Sequence, residues 1–153
     1  VDTLGFDACI DYTAVRFPAA LEAAVPDGID VYFENVGGAV FDAVLPLLNP
    51  SARIPLCGLI SQYNATALPE GPDRMNYLMG QILRRRITMR GFIVFDDFGH
   101  LYPEFVCQMK AWVEEGKVLY REEVISGLEE APAAFVGLLR GEAFGKRVVH
   151  LDD

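Results

Sequence analysis

Short apolar strands alternate with helices along this 153-residue chain, and this alternation constrains its fold more than any other feature. The strand patterns cover residues 7–11, 29–35, 52–58, 87–95, 120–125 and 145–151. The helical patterns between them cover residues 17–25, 39–48, 75–86, 101–118 and 127–141. Strands that alternate with helices run parallel in one sheet with helices on both of its faces. The sequence therefore predicts an α/β fold, with a second structural unit after residue 118, where apolar and polar residues alternate more regularly.

Composition excludes several classes of function. Hydrophobic residues make up 52% and charged residues 23%, which is typical of a globular domain with a real core. The net charge of −9 argues against a nucleic-acid partner, because such a partner needs a basic face. The basic run Arg84-Arg85-Arg86 is too short to change this and is interpreted as the solvated end of a helix. No apolar run approaches the ~18 residues of a membrane span, so we expect no membrane partner.

The cysteines and histidines do not have metal-ligand spacing. Cys9, Cys57 and Cys107 are far apart, as are His100 and His150, so the sequence predicts no metal site. Three cysteines do not form a disulfide framework, and we expect buried free thiols in a reducing cytoplasm. The first residues contain no signal-peptide pattern and no initiator Met, which suggests a chain that begins within a fold.

Four predicted strands end in residues that suit a ligand. Asn35-Val36-Gly37-Gly38 follows one strand, Cys57-Gly58 follows the next, and Tyr12 and Asp96-Asp97 follow two others. Ligands of parallel α/β sheets bind at the carboxyl ends of the strands, and glycines let a ligand approach the backbone. Taken alone, Gly37-Gly38 is also typical of a tight strand-to-helix turn. Together the four ends predict a binding site, although the sequence contains no GxGxxG, P-loop, GxSxG or HExxH motif.

The residues do not identify a catalytic group. The adjacent acid pairs at 114–115, 122–123 and 129–130 point in different directions and are interpreted as solvated charges. Cys57 has no basic neighbour that would activate a thiolate, and no base accompanies Ser61 or Tyr63. The helical stripe of large apolar residues is expected to be core, and it comprises Phe105, Met109, Trp112 and Val113.

Several segments occur together, in order, in one known family. They are LGFDACIDY, PDGIDVYFENVGG, CGLISQYN, GFIVFDD and, from residue 111, AWVEEGKV followed by EEVISGLEEAPAAFVGLLRGEAFGKRVV. In these segments the chain resembles the zinc-independent medium-chain dehydrogenase/reductases, in the NADP-dependent alkenal, leukotriene and prostaglandin (curcumin) reductase branch. The resemblance covers essentially the whole chain.

The resemblance implies an NADP(H) cofactor and a set of residues that contact it. Tyr12 is expected near the adenosine ribose or its 2′-phosphate, and Ala143 stands where the family often has an Asn that reaches the cofactor. The expected contacts at the nicotinamide and pyrophosphate are Asn35, Gly37, Cys57, Gly58, Leu59, Ile60, Ser61, Tyr63, Phe92, Ile93 and Val94. No catalytic residue and no metal ligand is carried over, and Tyr63 is expected to pack against the cofactor rather than to donate a proton.

The resemblance also implies that part of the family's fold is missing. Residues 1–118 would be a Rossmann domain without its first βαβ unit, and residues 119–153 would belong to the GroES-like catalytic domain. Without the glycine-rich phosphate loop, we expect weak or no NADP(H) binding by the isolated chain. Since the missing strands lie in the middle of a Rossmann sheet, we expect an exposed strand edge and new strand pairing or association into a homo-oligomer, a homodimer being the simplest.

Three functions remain open. The first is that of a cytoplasmic NADPH-dependent oxidoreductase that reduces the C=C bond of α,β-unsaturated ketones and aldehydes by hydride transfer. The second is a truncated, inactive fragment that acts only as a folding or oligomerisation module. The third is another doubly wound domain that uses a different nucleotide, such as a methyltransferase.

Overall fold

The chain folds into two compact units, Val1–His100 and Leu101–Asp153. The structure, a computed structural model, describes residues 1–67 and 72–151. The helices and strands of the first unit are α1 (Phe17–Ala24), β1 (Ile29–Val31), α2 (Gly38–Val44), β2 (Leu48–Leu56), α3 (Met75–Arg85), β3 (Thr88–Gly91) and α4 (Val94–Phe98). Those of the second unit are α5 (Tyr102–Glu114), β4 (Glu122–Ser126), α6 (Ala131–Leu139) and β5 (Lys146–His150). Short 3-10 turns lie at Leu45–Leu47, Ile60–Gln62, Gly99–Leu101 and Leu128–Glu130.

The first unit is built on a parallel three-stranded sheet in the order β1-β2-β3. β2 lies in the middle and pairs with β3 in continuous register from Arg53 opposite Thr88 to Leu56 opposite Gly91. A bulge interrupts its pairing with β1, and a single bridge from Glu34 to Leu56 extends that edge. Since the connections run strand–helix–strand, the predicted parallel α/β architecture is confirmed.

The core of this unit lies between β2 and the helices that flank it in sequence. Leu48, Ala52 and Ile54 of β2 are buried with Val44, Leu45 and Ile87. Leu21 of α1 and Leu78 and Ile82 of α3 pack against this cluster. Burial of this apolar area is the main stabilising contribution in the unit.

Backbone chemistry explains where the helices begin and end. Pro18 stands in the first turn of α1, where its missing N–H costs nothing. α3 ends in Arg84 and Arg85, whose charges favour the negative end of the helix, and Arg86 closes it in a left-handed conformation (φ 55°). The Arg85 guanidinium donates to the carbonyl of Leu48, so this part of the arginine run connects α3 to the sheet as well as facing solvent.

None of the six predicted strands has the observed boundaries, and β2 begins at Leu48, four residues before its predicted start. Residues 7–11 form no strand, because no other strand among the described residues lies beside them. The strand predicted at 29–35 is regular only over Ile29–Val31, and the one predicted at 87–95 ends at Gly91. α4 begins at Val94, shortly after β3 ends at Gly91. The Asp97 carboxylate accepts from the N–H of Ile93 (2.9 Å), and this hydrogen bond favours a helical turn at the start of α4. Within the predicted loop 59–73, residues 68–71 lie outside the described residues.

The second unit contains the parallel pair β4-β5, in register from Glu122 opposite Lys146 to Ser126 opposite His150. The guanidinium of Arg147 on β5 donates to Glu123 on β4 (2.9 Å) and to the carbonyl of Ala134 on α6 (2.9 Å). The second compact unit begins at Leu101 and includes α5, and the domain boundary predicted after residue 118 stays a prediction. The assignment of residues 119–153 to a catalytic domain stays a prediction.

Two predictions about burial are wrong. Phe105 and Trp112 of α5, which were expected in the core, are 54% and 40% exposed. All three cysteines are free but exposed rather than buried. Within the described ranges, no helix is both long enough and apolar enough to cross a membrane.

Candidate cofactor-binding site

The carboxyl ends of β2 and β3 line one cleft, and the segment that follows β1 lies beside it. The backbone N–H of Cys57 donates to the Glu34 carbonyl (2.9 Å), and that of Phe92 donates to the Leu56 carbonyl (3.2 Å), so each strand end is held by its neighbour. The cleft has a volume of about 570 Å³. It is lined by Leu56, Cys57, Gly58, Leu59, Tyr63, Gly91, Phe92, Ile93 and Asp97. This is the edge of a parallel sheet at which ligands bind.

Two polar side chains close over Gly58. A methyl group added at this glycine would lie 2.6 Å from the Asn35 amide oxygen and 3.2 Å from the Tyr63 hydroxyl oxygen. The absence of a side chain at Gly58 therefore gives the Asn35 amide and the Tyr63 hydroxyl their positions. An amide that both donates and accepts, beside a hydroxyl, suits a carboxamide or a ribose.

The Gly37-Gly38 turn brings the loop after β2 against the start of α2. Gly37 and Gly38 have φ values of 75° and 55°, which favour glycine. A methyl group at Gly37 would lie 3.0 Å from the Leu59 side chain and 3.2 Å from the Ser61 hydroxyl oxygen. The N–H of Ser61 donates to the Val36 carbonyl (3.0 Å), so this loop packs directly on the turn. Gly37 and Gly38 therefore form the tight turn and also allow the loop after β2 to pack closely on it.

The opposite wall of the cleft is fixed by Asp97. Its carboxylate accepts from Arg90 (2.8 Å) as well as from the Ile93 N–H. Phe92 packs edge-to-face between Phe33 (6.0 Å between centroids) and Phe98 (5.6 Å). These contacts hold the Phe92 and Ile93 segment beside the end of β2.

Glu34 is a residue of this site that sequence reasoning missed. Its carboxylate is buried and accepts from the N–H groups of Val36 (2.6 Å) and Gly37 (2.8 Å) and from the Tyr32 hydroxyl (3.2 Å). Burial raises the pKa of the Tyr32 hydroxyl, and the nearby Glu34 carboxylate raises it further. The available signal was an acid at the end of an apolar strand, directly before a glycine turn.

The structure gathers most of the predicted site residues and leaves two outside. Asn35, Gly37, the segment Cys57–Ser61, Tyr63, Phe92 and Ile93 lie in or beside the cleft. Tyr12 is exposed in the segment before α1, and within the described ranges no hydrogen bond or ring contact joins it to the cleft. Val94 is the first residue of α4 and does not line the cleft. Contact of any of these residues with a cofactor stays a prediction.

A family model described as a zinc-binding dehydrogenase matches residues 4–149. The chain belongs to this family. It is 57% identical over 150 residues to an NADPH-dependent curcumin reductase of Escherichia coli (strain K12), covering 98% of this chain and 44% of that protein. It is 46% identical over 146 residues to a 2-alkenal reductase (NADP(+)-dependent) of Nicotiana tabacum, covering 95% of this chain and 41% of that protein.

A solved structure agrees with the sequence comparison. CurA from Vibrio vulnificus, in complex with NADPH, is 62% identical and superposes with a TM-score of 0.92 over 99% of this chain. The chain spans 45% of that structure, and less than half of each curated relative named above. The resemblance to the reductase branch that the motifs indicated is thus confirmed.

The polar groups of the cleft fit one part of an NADP(H) molecule. The Asn35 amide, the Tyr63 hydroxyl and the narrow approach over Gly58 suit the nicotinamide end. The phosphates need a glycine-rich loop at a helix start, and the sequence contains no GxGxxG motif. No group of three His, Cys, Asp or Glu side chains that could hold a metal ion occurs in residues 1–67 and 72–151.

Proposed function

We propose that this chain forms the nicotinamide side of the NADP(H) site of a reductase that acts on the C=C bond of α,β-unsaturated ketones and aldehydes. The observation that carries the proposal is the convergence of Asn35, Gly58 and Tyr63 at the carboxyl ends of neighbouring parallel strands. The relatives named above, a curcumin reductase and a 2-alkenal reductase, support this substrate class.

In this function the chain positions the cofactor and shields it from water. When bound, NADP(H) would supply the hydride for the β-carbon of the enone, and reduction of the C=C bond would be completed by a proton at the α-carbon. The Asn35 amide orients the reacting end by donating and accepting hydrogen bonds, and the apolar side chains of Leu59, Phe92 and Ile93 exclude water. Tyr63 packs against the cofactor, and no residue of the chain is assigned as the proton donor.

The isolated chain is expected to bind the cofactor weakly. Its sequence contains no phosphate-binding glycine loop, and its net charge of −9 disfavours a phosphorylated ligand. We expect a Kd of about 1 mM for binding through the nicotinamide side alone, which is equivalent to roughly −4 kcal/mol.

Two halves of the cofactor, titrated separately into the isotope-labelled 153-residue chain, test this function. Reduced nicotinamide mononucleotide is expected to shift the amide NMR signals of Asn35, Gly58, Ser61 and Phe92. Adenosine 2′-monophosphate is the matched control and should leave them unchanged. Equal shifts from both compounds, or no shift with the nicotinamide compound at several millimolar, would contradict the proposal.

An oligomerisation module is the second candidate, and one observation favours it. β1 is an edge strand of its sheet, and Val31 and Phe33 beside that edge are exposed. Unpaired apolar edges associate with other chains. Sedimentation velocity over a range of concentrations tests this candidate, since a homodimer sediments faster as concentration rises. Zinc independence and a cytoplasmic location also stay proposals, supported by the residue patterns of the sequence.

A further inference from the structure

Glu34 is the most deeply buried charged residue of the first unit's described part, with 1% of its surface exposed. One carboxylate oxygen, Oε1, accepts both the Val36 and the Gly37 N–H groups, at 2.6 and 2.8 Å. These are consecutive amides of the turn that carries Asn35. The other oxygen, Oε2, is buried and has no hydrogen-bond partner among the described residues.

The backbone of Glu34 holds the second half of the same cleft. Its N–H donates to the Pro55 carbonyl (2.9 Å), and its carbonyl accepts from the N–H groups of Cys57 (2.9 Å) and Gly58 (3.3 Å). One residue therefore connects the Asn35–Gly37 turn, through its side chain, with the Cys57–Gly58 strand end, through its main chain. Asn35 and Gly58 belong to these two segments, and a methyl group added at Gly58 would lie 2.6 Å from the Asn35 amide oxygen.

A carboxylate at such a buried position is energetically unfavourable. A buried charge with an unpartnered oxygen destabilises the fold, and an uncharged side chain could fill the same space. A carboxylate does, however, form shorter and stronger hydrogen bonds to backbone amides than a neutral acceptor does. A carboxylate at this position is therefore explained by a need to hold the turn rigidly, since a neutral side chain would be enough to fill the space.

We propose that Glu34 is a positioning residue for the cleft. Its carboxylate fixes the turn 35–37 against the strand end 57–58, so that the Asn35 amide stands over Gly58 at the place where the nicotinamide end of the cofactor binds. The cofactor part of this inference rests on the proposed function. The positioning part concerns the chain alone.

The test compares Glu34→Gln, which keeps the shape and removes the charge, with Glu22→Gln, a control at an exposed carboxylate of α1. In the wild-type chain we expect the Val36 and Gly37 amide protons to be shifted downfield and protected from exchange. We also expect a nuclear Overhauser contact between the Asn35 side-chain amide and the Gly58 α-protons. Glu34→Gln, whose amide oxygen is a weaker acceptor, should reduce the downfield shifts, the protection and the Asn35–Gly58 contact, and should bind reduced nicotinamide mononucleotide about tenfold more weakly. Glu22→Gln should change none of these.

The outcomes distinguish the positioning role of Glu34 from the proposed function. Unprotected Val36 and Gly37 amides in the wild type would overturn the inference, even if Glu34→Gln failed to fold. Retention of these signals and of the Asn35–Gly58 contact in Glu34→Gln would also overturn it. If the wild type keeps both signatures but no nicotinamide compound binds, positioning is upheld and the proposed function fails.

Discussion

Gly58→Ala is the substitution that most sharply separates the site from the fold. The new methyl group would lie 2.6 Å from the Asn35 amide oxygen. Since a carbon and an oxygen come into contact at ~3.3–3.6 Å, the amide oxygen must retreat by about 0.7–1 Å. The atoms that must move are the ends of the Asn35 and Tyr63 side chains, not backbone, so the fold can absorb the change.

The expected effects on stability and binding therefore differ in direction. Gly58 does not have a positive φ, so alanine there restricts the unfolded chain and changes stability by about 0 to +1 kcal/mol. The displaced amide loses a hydrogen bond to the ligand of about 0.5–1.5 kcal/mol, which weakens binding roughly 2- to 13-fold. Urea unfolding measures the first effect, and NMR titration with reduced nicotinamide mononucleotide measures the second.

Gly99→Ala supplies the matched control. Gly99 lies outside the cleft lining and has no positive φ, and a methyl group there would lie no closer than 3.8 Å to the Phe95 side chain. It should leave both stability and binding near the wild-type values. Unchanged binding in Gly58→Ala, or an equal loss of binding in both variants, would refute the reasoning about the Asn35 amide.

Two further predictions concern the fold itself. Ile54→Ala in the buried centre of β2 should destabilise the first unit by about 2–5 kcal/mol, because it leaves a cavity in the core, and chemical denaturation measures this; a loss below about 1 kcal/mol would argue against this core. In the second unit, the hydrogen bond from Arg147 lowers the pKa of Glu123 below its ordinary value of 4.5. The contribution of the Glu123–Arg147 pair to stability is therefore fully present above pH 4.5, and it is lost as the pH falls through the lowered pKa of Glu123. Glu123→Gln should flatten the pH dependence of unfolding in this range, and an unchanged slope would contradict the role of the pair.

The alternation of periodicities was enough to predict the parallel sheets, because period-2 and period-3.6 patterns reflect local geometry. The rule that ligands bind at strand ends likewise predicted that Asn35 and Gly58 lie at one site, whereas Tyr63 was expected there from the family resemblance. Boundaries that depend on a partner strand were not predictable in this way. The segment 7–11 has strand propensity, but it forms no ladder in the described structure, since no strand lies beside it.

Side-chain direction was the second limit on prediction. An acid at the end of an apolar strand has the same local pattern whether it faces solvent or folds back onto the turn that follows. The burial of Glu34 therefore became visible only from the contacts of its carboxylate with two amides. Exposure of Phe105 and Trp112 has a similar origin, because helical spacing predicts an apolar face but not the surface that covers it.

Transferred nuclear Overhauser contacts between NADPH and the 153-residue chain would show which part of the cofactor the chain binds. We expect contacts from the nicotinamide protons to the side chains of Asn35, Tyr63 and Phe92, and none from the adenine protons. Contacts from the adenine protons alone, or contacts to residues outside the cleft, would contradict the assignment of this chain to the nicotinamide side of the cofactor site.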